Sequence, residues 1–172
     1  MSAPIDEKYA QLVQAGFPFG NPVGGEGICP DGAGRFQHFE NGSIYWTPET
    51  GAHLIYGLIR AKWSAMGWET SPLGYPTTDE SDAVGGRYND FQGGTIAWKN
   101  GAGEAFAVYG AIGGLWVAQG KWEGGAWNCG RLGFPVADEA DTPDGSGRFS
   151  RFDNGSIYWT PARGAYIVPD AC

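Results

Sequence analysis

The chain has 172 residues, three cysteines and a formal net charge of −8, with 15% aromatic residues, 30 glycines and only 17% charged residues. That length allows one compact domain or one small repeat array, and the acidity disfavours nucleic acid and anionic membrane surfaces as partners. No apolar run approaches the roughly 20 residues needed to cross a bilayer, so membrane insertion is not expected.

The first predicted element is a helix over 5–15, ending near Gly16. Its leading residues, Met1 to Lys8, carry neither a basic nor an apolar leader segment. A cytoplasmic protein is therefore expected, or an extracellular or cell-wall protein whose leader was removed. Next come Phe19-Gly20-Asn21-Pro22, an acidic loop at Gly25-Glu26 and a glycine-rich approach, Asp31-Gly32-Ala33-Gly34-Arg35. Short strands are predicted over 35–39, 43–47 and 52–56. Asn41-Gly42 should supply the positive φ angles of a two-residue hairpin turn. After Gly57 the period changes. Ile59, Trp63 and Met66 fall at i, i+4 and i+7, one stripe of a short amphipathic helix, and Gly67 is its natural stop.

The chain then repeats itself. Residues 39–48 return as 152–161, with Asn154-Gly155 at the turn, and in worn form as 91–100. Leu73-Gly74-Tyr75-Pro76 and Leu132-Gly133-Phe134-Pro135 open the second and third copies. Asp79-Glu80 and Asp138-Glu139 are their acidic loops, and Arg87 and Arg148 end their glycine-rich approaches. A second helix follows the second copy, around Ile112 and Trp116. The third copy stops without one.

Self-similarity of this kind sets the architecture. One domain over 1–172 is expected, with repeats at about 17–72, 73–131 and 132–172, the last completed by helix 5–15. The fold class is α+β: three tandem repeats of short antiparallel strands plus one helix. The N-terminal helix should close them with pseudo-threefold symmetry around a single hydrophobic centre.

The segments Leu132-Gly133-Phe134-Pro135, Asp138-Glu139, Gly147-Arg148-Phe149 and Gly155-Ser156-Ile157-Tyr158-Trp159 together resemble the LGFP repeat family, over nearly the whole chain and three times. Such repeats accompany cell-envelope proteins of actinobacteria, including mycoloyltransferases and peptidoglycan-processing enzymes, and are believed to hold them to cell-wall polysaccharide. The resemblance implies a binding module and names no sugar. The first copy departs from the pattern at Asn21, the second at Ala97, Lys99 and Asn100.

Trp46, Trp98 and Trp159 share a strand face with Ile44, Ile96 and Ile157 and are expected in the core. Tyr45 and Tyr158 alternate to the opposite face, and the second copy has Ala97 there, so the tyrosines are the better candidates for ligand contact. Sugar hydroxyls need a donor and an acceptor side by side. Two carbohydrate sites are therefore expected, Asp31, Arg35 and Tyr45 in the first copy and Asp144, Arg148 and Tyr158 in the third, with the second weak or missing. The arginines could instead pair with the acidic loops and lock neighbouring repeats together. His53, aligned with Tyr166 and Ala105, is expected to be a satisfied, partly buried histidine.

No cofactor is expected. The Asp138, Glu139, Asp141, Asp144 cluster does not follow a calcium-loop spacing, and Cys29, Cys129 and Cys172 lack zinc-site spacing and are expected as free thiols. Trp122 and Trp127 either pack into a neighbouring groove or mark an oligomer interface or an added sugar platform. The expected function is a non-enzymatic, lectin-like protein whose partners are glycans or cell-wall polysaccharide, with repeated sites gaining avidity. A protein-interaction or structural cell-envelope module is the alternative, and a polysaccharide hydrolase the third reading.

Overall fold

The computed structural model describes residues 2–122 and 132–170. Trp127, Cys129 and Cys172 lie outside them. Helix α1 (Ala3–Gln14) precedes the first sheet, β1 (Pro22–Ile28), β2 (Arg35–Phe39), β3 (Gly42–Thr47) and β4 (Gly51–Tyr56). Helix α2 (Gly57–Met66) leads to the second, β5 (Ser81–Ala83), β6 (Gly86–Asp90), β7 (Gly94–Lys99) and β8 (Phe106–Tyr109). Helix α3 (Gly110–Ala118) leads to the third, β9 (Ala140–Asp141), β10 (Arg148–Phe152), β11 (Gly155–Thr160) and β12 (Gly164–Pro169). Each sheet is an antiparallel meander with its strands in chain order. The first acidic loop, Gly25-Glu26, lies within β1, while Asp79-Glu80 and Asp138-Glu139 immediately precede the edge strands β5 and β9. Among the described residues no helix is long and apolar enough to cross a membrane.

The layers alternate. Helix α1 packs on the first sheet, α2 touches the first and second, and α3 touches the second and third. Each helix brings the same apolar pair, Ile5 and Tyr9, then Ile59 and Trp63, then Ile112 and Trp116. Ile59, Trp63, Ile112 and Trp116 are all buried, and burying side chains of this size contributes about 2–3 kcal/mol each. The helices differ on their other sides. Helix α1 carries Asp6, Glu7 and Gln11 exposed, whereas α3 contains no charged residue.

That difference revises the expected closure. Instead of one shared centre there are three apolar clusters: α1 with the first sheet, α2 between the first and second, α3 between the second and third. Among the described residues no such cluster joins α1 to the third sheet. A helix with one apolar face and one charged face packs by the apolar one, and among the described residues α1 packs on the first sheet.

The repeat motif has a mechanical reading. Gly20, Gly74 and Gly133 have φ of +83°, +69° and +82°, a region that favours glycine. A Cβ there would also collide with Glu40, Gln92 or Asp153. Those side chains accept the N–H of the following residue, Asn21, Tyr75 or Phe134, at 2.9, 3.1 and 3.1 Å. Tyr75 and Phe134 in turn pack over Gly34 and Gly86 of the preceding sheet. Asn21, at the same position in the first repeat, follows α1.

The Asn-Gly turns differ from expectation. Neither Asn41 and Gly42 nor Asn154 and Gly155 have positive φ. Glycine is required there by close approach: a Cβ on Gly42 would lie 3.1 Å from Phe19 Cβ, and one on Gly155 3.0 Å from Leu132 Cδ2 and Val168 O.

Candidate functional site

Cross-strand register decides which side chains can cooperate. Arg35 faces Trp46, Arg87 faces Trp98 and Arg148 faces Trp159. The tyrosines belong to the neighbouring rungs, Phe36–Tyr45–His53 and Phe149–Tyr158–Tyr166, with Tyr88–Ala97–Phe106 in the second repeat. Ala97 is thus opposite Phe106, one residue beyond the Ala105 expected from sequence. Adjacent rungs point to opposite faces of a sheet. Arg35 with Tyr45, and Arg148 with Tyr158, therefore cannot line one pocket.

The expected site of the first repeat is taken up by the fold. Tyr45 is 3% exposed, stacked on Phe36 at 5.3 Å and on Trp68 at 5.8 Å, with its edge against Trp63. Burial drives its phenol well above the ordinary range. Asp31 accepts the Tyr75 hydroxyl at 2.7 Å and the Ala33 and Gly34 N–H groups. Its carboxyl is held low by the Gly34 N–H first and the Tyr75 hydroxyl second. Arg35 donates to the Gly34 carbonyl of its own loop at 3.1 Å. In the third repeat Asp144 serves its own turn, accepting from Ser146 N–H, Ser146 Oγ and Thr142 Oγ1. Tyr158 stacks between Phe149 and Tyr166 on a half-buried face.

Arg87 and Arg148 do pair with the acidic loops, but inside their own repeats. Arg87 Nε donates to Glu80 Oε1 at 2.9 Å, and the same guanidinium reaches Asp82. Arg148 repeats this with Glu139 Oε2 at 2.5 Å and Asp141 Oδ1 at 2.7 Å. Lysines tie the repeats together: Lys8 to Asp79 at 2.8 Å and Lys62 to Asp138 at 2.5 Å. His53 is half-buried, its Nε2 2.7 Å from Thr50 O and its Nδ1 3.2 Å from Asp79 Oδ1. Trp122 packs against Trp116, Phe134 and Tyr88. Cys29 is free and buried.

Around these ion pairs two equivalent pockets open. One, of about 210 Å3, lies between the start of α2 and the second sheet, lined by Tyr56, Gly57, Ile59, Glu80, Arg87 and Trp98 among others. Its counterpart, about 240 Å3, is lined by Tyr109, Gly110, Ile112, Glu139, Arg148 and Trp159. The backbone makes the match: Gly57 and Gly110, at φ +62° and +61°, turn each sheet's last strand sharply into a helix. That junction leaves Tyr56 or Tyr109 at a helix start that no side chain caps. Two larger hollows, each about 410 Å3, border Phe91, and Trp122 with Phe134. Those rings are at most 5% exposed and offer no face, whereas Tyr56, Trp98, Tyr109 and Trp159 are half-buried.

Electrostatics sets the second-repeat pocket apart from the surface. Burial pushes Glu80 up to about 7 despite the Arg87 hydrogen bond. Tyr56 and Tyr109 are also raised, chiefly by burial. The signal for these pockets was present in the sequence as the repeated Tyr-Gly before α2 and α3 and as the Arg–Trp register across the hairpin. A model of the LGFP repeat matches residues 19–71, 73–125 and 132–172. No curated protein matches the chain.

Proposed function

The chain belongs to the LGFP repeat family, and from that premise we propose that it is a non-catalytic carbohydrate-binding module with two pyranose sites. Its partners on this reading are glycans or cell-wall polysaccharide. The observation that carries the proposal is the recurrence of one pocket, Tyr56–Glu80–Arg87–Trp98 and Tyr109–Glu139–Arg148–Trp159, at two repeat junctions. A pyranose has an apolar C–H face and hydroxyls that both donate and accept. The indole and phenol rings suit the former, and a carboxylate beside a guanidinium suits the latter.

Two sites on one body would raise avidity for a repeating polymer without further contacts. Binding is favoured over hydrolysis because Glu80 and Asp82 share one guanidinium, Asp82 being 90% exposed. They do not flank a cleft as a glycosidase pair would. A second reading, docking of another protein, draws on the half-buried Phe149–Tyr158–Tyr166 ladder of the third sheet. Polysaccharide pull-down and glycan-array binding separate the two. Retention that is competed by free sugar, and lost in Trp98→Ala combined with Trp159→Ala, supports the sugar reading; retention dependent on Tyr158 and indifferent to sugar supports the other.

A further inference from the structure

The first repeat shows what a pocket glutamate accepts. Ser2 stands at the start of α1 where Tyr56 and Tyr109 stand for α2 and α3, and Glu26 aligns with Glu80 and Glu139. The Ser2 backbone N–H donates to Glu26 Oε2 at 2.5 Å, and the Ser2 hydroxyl donates to Oε1 at 2.6 Å. These two donors sit on adjacent carbons, so one carboxylate is bridged by an amide N–H and the O–H beside it. A pair of donors meets a single carboxylate in this way when the two are gauche. A 2-acetamido-2-deoxypyranose carries the same pair, the amide N–H on C2 and the hydroxyl on C3, held gauche by the chair.

The second repeat has the acceptor without the donors. Glu80 is 6% exposed in its side chain, and one oxygen is taken by Arg87 Nε. The other, Oε2, is buried with no hydrogen-bond partner among the described residues, and a buried carboxylate oxygen is costly to leave unpaired. Glu139 is 10% exposed and held by Arg148 in the same manner. The starts of α2 and α3, uncapped by any side chain, line the same pockets as the two glutamates.

Resting on the glycan reading, we propose that the pockets at Glu80 and Glu139 select 2-acetamido-2-deoxy sugars. Through the oxygen that its arginine Nε does not hold, the glutamate accepts the vicinal N–H and O–H, the donor pair that Ser2 presents to the two oxygens of Glu26, and the acetyl group lies toward Trp98 or Trp159. The first repeat fills its own equivalent position and adds no third site.

The test titrates the full chain with four methyl glycosides: N-acetylglucosaminide, its 3-deoxy analogue, glucoside and 2-deoxyglucoside. The N-acetyl sugar should bind about tenfold or more tightly than the other three, with two sites that fall to one in Glu80→Gln or in Glu139→Gln. Equal affinity for the glucoside, or no loss on removing the 3-hydroxyl, overturns the selectivity while leaving the glycan reading in place. Binding of none of the four at ~10 mM, about the weakest range such a titration detects, overturns both.

Discussion

Lys62 on α2 donates to Asp138 of the third repeat at 2.5 Å, and Lys8 on α1 makes the same reach to Asp79 of the second. Each helix thus clasps the acidic loop of the repeat that follows its own sheet. At the corresponding positions α3 has Leu115 and the first repeat has Gly25.

Asp79 also accepts the Leu54 N–H at 3.1 Å, so Asp79→Ala should destabilise the fold by about 1–3 kcal/mol. Burial alone would raise its pKa, but His53, Lys8 and the Leu54 N–H hold it down at about 2. A depressed folded pKa gives stability that is present above the unfolded value near 3.8 and lost as pH falls toward 2. Denaturation curves at pH 7, 4 and 2.5 should show the wild type and variant converging at the acid end.

Gly133 and Gly145 have similar backbone angles, φ +82° and +73°, and different surroundings. A Cβ on Gly133 would lie 2.7 Å from Asp153 Oδ2, while nothing lies within 4 Å of one on Gly145. Gly145→Ala should cost about 1 kcal/mol for the left-handed backbone alone. Gly133→Ala should cost visibly more and also weaken the Phe134 N–H bond to Asp153. Equal losses in urea would show that the crowding is relieved without penalty.

Trp63 and Trp116 fill equivalent positions, yet only Trp116 has a hydrogen-bond acceptor, Gly133 O at 3.1 Å. Trp63 Nε1 is buried without a partner among the described residues. Trp116→Phe should therefore destabilise by about 1 kcal/mol more than Trp63→Phe, since it also strands a carbonyl. Thermal unfolding of the two variants in parallel provides the comparison.

Much of the fold was legible. The repeat, the helix stop at Gly67 (φ +109°) and the strands around both hairpins follow from spacing and turn chemistry. The site was less so, because Trp98 and Trp159 read as core from their shared face with Ile96 and Ile157. What sequence alone lacked was the depth of the next layer. Phe36, Trp63 and Trp68 pack on Tyr45, whereas Trp98 stays half open beside the start of α2. The Arg–Trp register was available from strand alternation.

Glu80, raised to about 7 by burial, faces Arg87, Asp82 and Tyr56. If its carboxylate accepts the ligand's donors, sugar affinity at the second-repeat site should rise with pH through about 7 and level off above it. In Glu80→Gln that rise should disappear together with the site itself. Calorimetry at pH 5.5, 7 and 8.5 reads both effects, and an affinity that falls with pH would contradict the assigned role.

The most direct measurement is a sugar titration of the full chain that follows the Trp98 and Trp159 indole N–H signals in a nitrogen–proton correlation spectrum. The account predicts that both indole signals shift and saturate together with added N-acetylglucosaminide, while the buried Trp116 signal barely moves. Indoles of Trp98 and Trp159 that stay in place while the protein retains polysaccharide would put binding elsewhere and contradict it.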